Sequence, residues 1–571
     1  MDKRWKLIKH DYDQVSSLAS EISVTPLVAA LLIARGYADA ESARRFLSPT
    51  IEHLHDPFLL KGMPETVARI RTAIERGEKI LIWGDYDVDG TTGTVLLRKA
   101  LHKLGAKTDF HIPNRFTEGY GLNIDALEKA KNDGVALVVT VDCGTRSFDP
   151  IAWAAENGLD VIITDHHLSD PVRGLPVAVA VVNPNQSGCN YPDKELAGVG
   201  VALKLAFALL GETIDDKLLS EFLEIAAIGT VADVMKLTGE NRSIVTLGLK
   251  QLSRTKNQGL RALMEISDCT SEMTSLHIGF RIAPRINAAG RMDVARHVVE
   301  LLETENFSEA RRLAGILDSR NRERQKMQQQ ITENAMFQAA DFAGQKFIVV
   351  AGDNWHRGVI GLAASRLAER MYRPSIVLSV ENGIAHGSAR GIANFHLLNA
   401  LEHCAEIFEQ FGGHAAAAGM QIKTERIDEL RSRLNNYAES ALGDDDLIPE
   451  LNIDALVTTQ TLGLKMLEQV KCLEPFGAGN PKPIFVTKGL FVRDNPFVMK
   501  EKHLKILLAD KDGKRFEAVW WDGVERSKKQ TLRPGSSIEL AYTAEANEWQ
   551  GTTRLQLVVE DLKIDETSAG N

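Results

Sequence analysis

The sequence predicts a multidomain α/β protein, and three observations carry that prediction. From residue 79, short apolar runs ending in polar residues alternate with helical patterns, which implies a mostly parallel sheet covered on both faces. After a long, Pro-free and largely polar helical stretch, a second α/β alternation begins near residue 347. Residues 455–565 then carry short, closely spaced strand patterns that suit a small β-barrel. The 571 residues, at roughly 100–200 per domain, allow about three to five domains.

Taken in order, residues 1–60 form an N-terminal helical segment, with helices expected at 25–35 and 38–46. Residues 61–305 form the first large domain. Strands are expected at 79–85, 107–113, 136–142, 161–165 and 178–183, a helix at 91–104, and mainly helix over 196–303. Residues 306–342 read as a connector helix. Its stretch 318–330 is almost wholly polar, the mark of a helix bridging domains through solvent. Residues 343–450 hold the second α/β pattern, with strands at 347–351 and 375–380, a helix at 359–371 and a Gly-rich stretch over 387–419. Residues 451–571 hold the barrel, with strands at 484–486, 504–508, 517–521, 537–542 and 554–559.

Composition narrows the class. Apolar residues at 44% and charged residues at 25% are ordinary globular values. The net charge of −10 excludes a globally basic nucleic-acid binder but leaves room for a local basic groove. Five scattered cysteines without a C-x-x-C pair argue against a disulfide scaffold or zinc finger and for a reducing compartment. No apolar h-region follows the N-terminus and no apolar run approaches 18 residues, so the expectation is a soluble cytoplasmic protein without a membrane contact.

The sharpest local signal is Asp85-Tyr86-Asp87-Val88-Asp89-Gly90, at the end of a predicted strand. Hard oxygen ligands there suit Mg²⁺ or Mn²⁺. The same letters open a calcium-binding EF-hand loop, but position 12 is Leu96 instead of Glu and a strand, not a helix, precedes the motif. Two more strands end alike, in Asp142-Cys143-Gly144 and in Asp165-His166-His167. Alone, Asp142 reads equally as a turn-starting Asp, and paired histidines can be surface residues. In a parallel sheet, however, these strand ends converge at the edge where ligands bind. Asp233, after an apolar helix, is a fourth candidate. Carboxylates with a histidine suit two divalent cations about 4 Å apart, the spacing that clamps an in-line phosphoryl displacement.

In this order, D-x-D-x-D-G, V-D-x-G, D-H-H and Gly229-Thr230-Val231-Ala232-Asp233 resemble the DHH phosphoesterases, and Phe411-Gly412-Gly413-His414 resembles the glycine-rich motif of their associated second domain. Pro113-Asn114-Arg115-Phe116, Gly119-Tyr120-Gly121-Leu122, the run 196–202, the run 284–291 and Gly387-Ser388-Ala389-Arg390 extend the likeness to the family's single-strand-specific 5′→3′ DNA exonucleases, over about 60–565. The resemblance implies a two-lobed core, a parallel-sheet DHH domain and an α/β DHHA1 domain joined by the long helix, followed by an OB-fold. It implies two Mn²⁺ or Mg²⁺ ions. Asp87, with Asp85 close by, would bind one, Asp142 would bridge both, and Asp89, His166 and Asp233 would bind the other. His167 would face the scissile phosphate, with Asp165 orienting the histidine pair. Water activated at the cations would attack phosphorus and release 5′-mononucleotides in DNA recombination and repair.

The nucleic-acid side is read with less from the residues themselves. Arg285 and Arg291 flank a small-residue stretch and have the fork geometry for phosphate. Ser388, Arg390, Gly412, Gly413 and His414 could form a terminal-phosphate pocket, since glycines let backbone N–H groups approach oxygens. By resemblance, Arg115 and Tyr120 guard a narrow strand entrance, with Tyr120 able to stack on a base. Residues 481–560 carry 14 basic against 11 acidic residues, and Phe491, Phe497, Trp520, Trp521 and Trp549 are interleaved with Lys500, Lys502, Lys505 and Arg515. Such mixing suits single-strand binding, although barrel aromatics are also core. A phosphodiesterase of short oligonucleotides, cyclic dinucleotides or pyrophosphate would not need the barrel, and a non-catalytic scaffold binder would not need the intact aspartates. The expected partners are single-stranded DNA with a 5′ end and, from the family, the single-strand-binding protein and a RecQ-type helicase. The expected state is a monomer.

Overall fold

The computed structural model describes all residues except 1–2, 116, 270–271, 293, 528–531, 550 and 566–571, and the side chain of Trp549 also lies outside the described residues. The chain forms two compact units. One contains Glu41–Glu323 together with Leu473–Pro481, and the other contains Met1–Ala40, Arg324–Cys472 and Lys482–Asn571.

The first unit is built on five parallel strands. Their order across the sheet is Lys107–His111, Lys79–Gly84, Val135–Val141, Asp160–Thr164, Ala180–Val182. The central strands are nearly continuous runs of Val, Ile and Leu because both faces are covered. Winding goes one way from Lys79–Gly84 to the second strand and the other way to the third. The topological switch therefore lies between Lys79–Gly84 and Val135–Val141, where an open α/β sheet leaves a crevice at its carboxyl ends. Asp85 and Asp142 directly follow those two strands.

The second unit contains a five-stranded mixed sheet in the order Phe408–Gly413, Ala417–Lys423, Ile384–Arg390, Ser375–Glu381, Ile348–Asp353, with only the last two parallel. It also contains a seven-stranded sheet that curls on itself, because Phe485–Val492 pairs with Ser537–Trp549 and again with His503–Ala509. This is the expected barrel.

Two features differ from the sequence reading. The N-terminal segment is not purely helical: Arg4–Leu7 is a strand paired in parallel with Glu450–Ile453. Four residues give no measurable alternation, and a partner so distant leaves no local signal. Residues up to Ala40 also belong to the second unit, whereas those from Glu41 belong to the first. The connector is one helix, Phe307–Ala340, but its polar centre is not simply solvated. Asp318 and Asn321 are buried, and Asp318 is paired with Arg285 and Arg322 at 3.0 and 2.7 Å. A charge buried with its partner leaves the same letters in the sequence as a charge in water. Among the described residues no single helix is long and apolar enough to cross a membrane.

Candidate metal centre

Each acidic side chain of the cluster is placed by the end of a regular element. The helix Val88–Lys103 starts against the end of its strand, with Asp87 as its N-cap accepting from Gly90 N at 3.0 Å. This close start requires Gly90, since a Cβ there would lie 2.5 Å from Asp85 N and 2.6 Å from Asp85 O. Asp89, in the first turn, accepts from Gly198 N at 2.6 Å and Val199 N at 2.7 Å, at the N-terminus of the helix Gly198–Leu210. Asp142 holds a left-handed φ of 63°, a conformation costly for Asp and tolerated at sites that need it. Asp233 ends the helix Asp216–Ala232.

These residues converge. Asp85, Asp87 and Asp142 form one set of donor atoms within 4.8 Å of one another, Asp89, His166 and Asp233 a second, and Asp142, His166 and His167 a third. His166 Nε2 lies 3.1 Å from Asp142 Oδ1, 3.5 Å from Asp233 Oδ2 and 3.7 Å from Asp89 Oδ2. Yet His166 Nε2, Asp142 Oδ1 and Asp85 Oδ1 are buried without a hydrogen-bond partner. Leaving such atoms unpaired is costly, so orphaned lone pairs aimed into one cluster fit a cation. The donor chemistry, mostly carboxylate with one imidazole, fits Mg²⁺ or Mn²⁺.

The electrostatics agree. Burial, and then the neighbouring Asp87, push the Asp85 carboxyl well above the usual carboxylate range. Burial with Asp233 does the same to Asp89, and burial with Asp89 does so to Asp142. Asp233 is pushed up to about 7 by burial and by Asp87. Like charges crowded in a dry site call for a counter-ion.

The two histidines separate. Burial and the adjacent His167 bring His166 down to about 4. Against its own burial, His167 is held up to about 9 by Asp165, which accepts from its Nδ1 at 2.8 Å. Asp165 also accepts from the backbone N–H of His166, His167 and Thr145. Although burial opposes it, these contacts, His167 first, hold Asp165 well below the usual carboxylate range. Two residues that the sequence reading missed complete the support. Asn183 donates to the His167 carbonyl at 2.8 Å, and Asn185 to the His166 carbonyl at 2.7 Å. Both follow the fifth strand, so the rule that found the aspartates, polar residues at strand ends, would have found them.

The remaining predicted residues fall in both units. Tyr120 stands at the metal edge, its hydroxyl 3.2 Å from Asp142 O and 3.4 Å from His167 Nδ1, its ring half-exposed. Arg115 lies over the Tyr86 ring at 4.9 Å, and Phe116 is outside the described residues. Arg291 ends the helix Ala283–Arg291, next to Gly290, whose Cβ would meet Tyr86 O at 2.4 Å. Arg285 is committed to Asp318 and to the Arg281 carbonyl at 2.6 Å. In the second unit, Ser388, Gly419 and Gly412 share one cross-strand row. Arg390 donates to Ser365 Oγ at 3.0 Å and Ser388 Oγ at 3.1 Å, and Gly412, Gly413 and His414 are exposed beside that row. Arg285 is thus not in the unit that holds Ser388, Arg390 and His414. Of the barrel aromatics, Trp520 is buried, while Phe497 and Trp521 are 67% and 52% exposed.

A parallel sheet whose switch point gathers aspartates and a D-H-H turn defines a DHH-family phosphoesterase, and sequence comparison agrees. The model of the DHH family N-terminal domain matches residues 79–230, that of the DHHA1 domain 344–440 and that of the RecJ OB domain 453–561. The chain is 43% identical over 569 residues to the single-stranded-DNA-specific exonuclease RecJ of Bacillus subtilis, covering 99% of this chain and 71% of that one. The crystal structure of Thermus thermophilus RecJ in complex with Mn²⁺ superposes with a TM-score of 0.84 at 29% identity, covering 99% of this chain and 80% of the other. The Mg²⁺ complex of the same protein gives 0.78 at 28%, covering 99% and 79%. The chain belongs to the RecJ family.

Proposed function

We propose that this protein is a divalent-metal-dependent exonuclease that hydrolyses single-stranded DNA from its 5′ end and releases 5′-mononucleotides. The observation that carries the proposal is the convergence of Asp85, Asp87, Asp89, Asp142, His166 and Asp233, with orphaned buried donors, at the switch point of the sheet. Family membership supplies the substrate, since relatives bear the name single-stranded-DNA-specific exonuclease.

In this reading Asp85, Asp87 and Asp142 hold one cation and Asp89, His166 and Asp233 the other, with Asp142 between the sets. Bound there, the cations lower the pKa of water and neutralise the phosphate undergoing displacement. The protein's own groups do the rest. His166 stays neutral and offers a lone pair, whereas His167 keeps its proton on a half-exposed ring and donates to the scissile phosphate. Asp165 fixes the His167 ring, and Asn183 and Asn185 hold the backbone carbonyls of the two histidines. Tyr120 and Arg115 line the approach of the strand. Ser388, Arg390 and the exposed Gly412-Gly413-His414 segment hold the terminal phosphate, and Arg291 a phosphate near the metal edge. Arg285 takes part by bracing the helix Ala283–Arg291 through Asp318. Residues 61–305 carry the chemistry, 343–450 the terminal phosphate and 451–571 the trailing strand. A cytoplasmic monomer working beside the single-strand-binding protein and a RecQ-type helicase completes the reading, on the family resemblance alone.

The test uses single- and double-stranded DNA labelled at either end, and circular single strands, with Mn²⁺ or EDTA. Release of 5′-labelled mononucleotide from linear single strands only, abolished by EDTA, is expected. Efficient cutting of circles or digestion from the 3′ end refutes the proposal.

A further inference from the structure

Between the helix Leu464–Lys471 and the strand Phe485–Val492, the chain leaves the unit to which its neighbours belong. Leu473–Pro481 is part of the unit that holds the catalytic sheet, whereas Cys472 and Lys482 are part of the other. This strap, Leu-Glu-Pro-Phe-Gly-Ala-Gly-Asn-Pro, is held by its backbone. Arg242 is buried on the helix Gly239–Leu252 and donates to the carbonyls of Leu473 at 3.2 Å and Glu474 at 2.8 Å. Ser275 Oγ donates to the Phe476 carbonyl at 2.5 Å. Asn480, fully buried, ties the strap to itself by donating to the carbonyls of Leu473 at 2.7 Å and Pro475 at 2.9 Å.

The tip of the strap rests on the turn that carries Asp233. Leu237 N donates to the Ala478 carbonyl at 2.8 Å, and the buried Leu237 side chain packs under Gly477, where a Cβ would fall 2.6 Å from Leu237 Cδ1. Between Asp233 and the next helix the chain reverses through Val234, with φ 58° and an exposed side chain. The same turn reaches the second aspartate of the set. Lys236 pairs with Glu195 at 2.6 Å, and Asn241 Nδ2 bonds the carbonyls of both residues. Glu195 lies three residues before Gly198, whose N–H holds Asp89. Asp85 and Asp142, by contrast, directly follow strands, and Asp87 caps the helix that starts beside them.

We infer that Leu473–Pro481 is a positioning element for one cation site: through Leu237 it sets Asp233, so the affinity of the Asp89–His166–Asp233 set depends on it and that of the Asp85–Asp87–Asp142 set does not. The inference rests on the two-site reading above.

The test is Mn²⁺ titration of metal-free, full-length protein, with free Mn²⁺ followed by electron paramagnetic resonance and thermal melts run alongside. The variants are Gly477→Val, the milder Gly477→Ala, and Asn480→Ala. Gly463→Ala is the control, since its Cβ meets nothing within 4 Å. Wild type and control should bind two Mn²⁺. The strap variants should keep one site within twofold and weaken the other at least tenfold. Their KM for Mn²⁺ should rise, with kcat recovered at saturating metal. Two sites unchanged within twofold, or both weakened together in step with the melt, overturn the inference. Binding of fewer than two ions by wild type overturns the two-site reading itself, as does a failure of Asp87→Asn and Asp233→Asn to weaken different sites.

Discussion

Gly198→Ala changes no charge and removes no ligand, yet it should disable the site. Added at Gly198, a Cβ would lie 2.5 Å from Asp142 Cβ and 2.9 Å from its Cγ and Oδ1, whereas ordinary contact begins at 3.4 Å. Asp142 must therefore retreat by about 1 Å, or the helix Gly198–Leu210 must, and that helix carries the two N–H groups that hold Asp89. A displacement of that order at a reacting centre costs about 10²-fold, or about 2.7 kcal/mol of barrier. The backbone itself admits alanine, since Gly198 opens the helix with a φ outside the left-handed region. The variant should thus stay folded while losing turnover on a 5′-labelled single strand in Mn²⁺. Gly200→Ala is the control, since its Cβ meets only the Leu196 side chain, at 3.3 Å and beyond. If Gly198→Ala retains turnover within threefold of wild type, the Asp142–Asp89 cluster is not where bonds break.

Further outcomes are expected. Asp142→Ala should lose activity by far more than tenfold, a threshold equal to about 1.4 kcal/mol, and retention within tenfold would remove Asp142 from the reaction. Arg390→Ala should lower turnover on 5′-phosphorylated strands and narrow their advantage over 5′-hydroxyl strands, and an unchanged ratio would place the terminal phosphate elsewhere. Glu224 is buried and pushed from 4.5 up to about 7 by burial. The folded state then binds more protons than the unfolded state between those values, so stability falls as pH rises from about 4.5 to 7. Glu224→Gln should raise the melting temperature at pH 8, with a gain of up to about 3 kcal/mol, and much less at pH 5. Equal gains at both pH values would contradict the buried acid. Phe497→Ala with Trp521→Ala should weaken long-strand binding by about 1–3 kcal/mol per stacked base lost, measured by fluorescence anisotropy, while short oligonucleotides are still cut. Point substitution is the right tool here, because deleting 451–571 would also strip Leu473–Pro481 from the catalytic unit.

Much of the centre was legible because strand ends announce themselves. Asp85, Asp142 and Asp165 each follow an apolar run, and a parallel sheet brings such ends to one edge. Asn183 and Asn185 obey the same rule but carry no charge, so they drew no notice. Asp233 was singled out at the end of an apolar helix, a weaker directional cue than a strand end, and its motif then strengthened it. What stayed hidden was non-local. The pairing of Arg4–Leu7 with Glu450–Ile453 leaves no periodicity to read. Nor do the letters of Leu473–Pro481, plausible as any loop, say that the loop belongs to the other unit. The polar centre of the connector misled for a related reason: Asp318 reads as solvated until Arg285 is seen beside it.

In the proposed reaction, adjacent residues of one type take opposite tasks, and the cause is what each faces. A cation ligand must present a lone pair, so a histidine in that role has to remain neutral. His166 meets this because it is buried beside a second ring and its Nδ1 donates to no carboxylate among the described contacts. A group that donates to phosphate must keep its proton. His167 meets that because Asp165, itself held ionised by three backbone N–H groups, accepts from Nδ1 and leaves Nε2 to point away. The D-H-H order is therefore a device in three residues. The aspartate turns back on the second histidine and fixes its charge, while the first histidine is left free of that hold and turned into the carboxylate cluster.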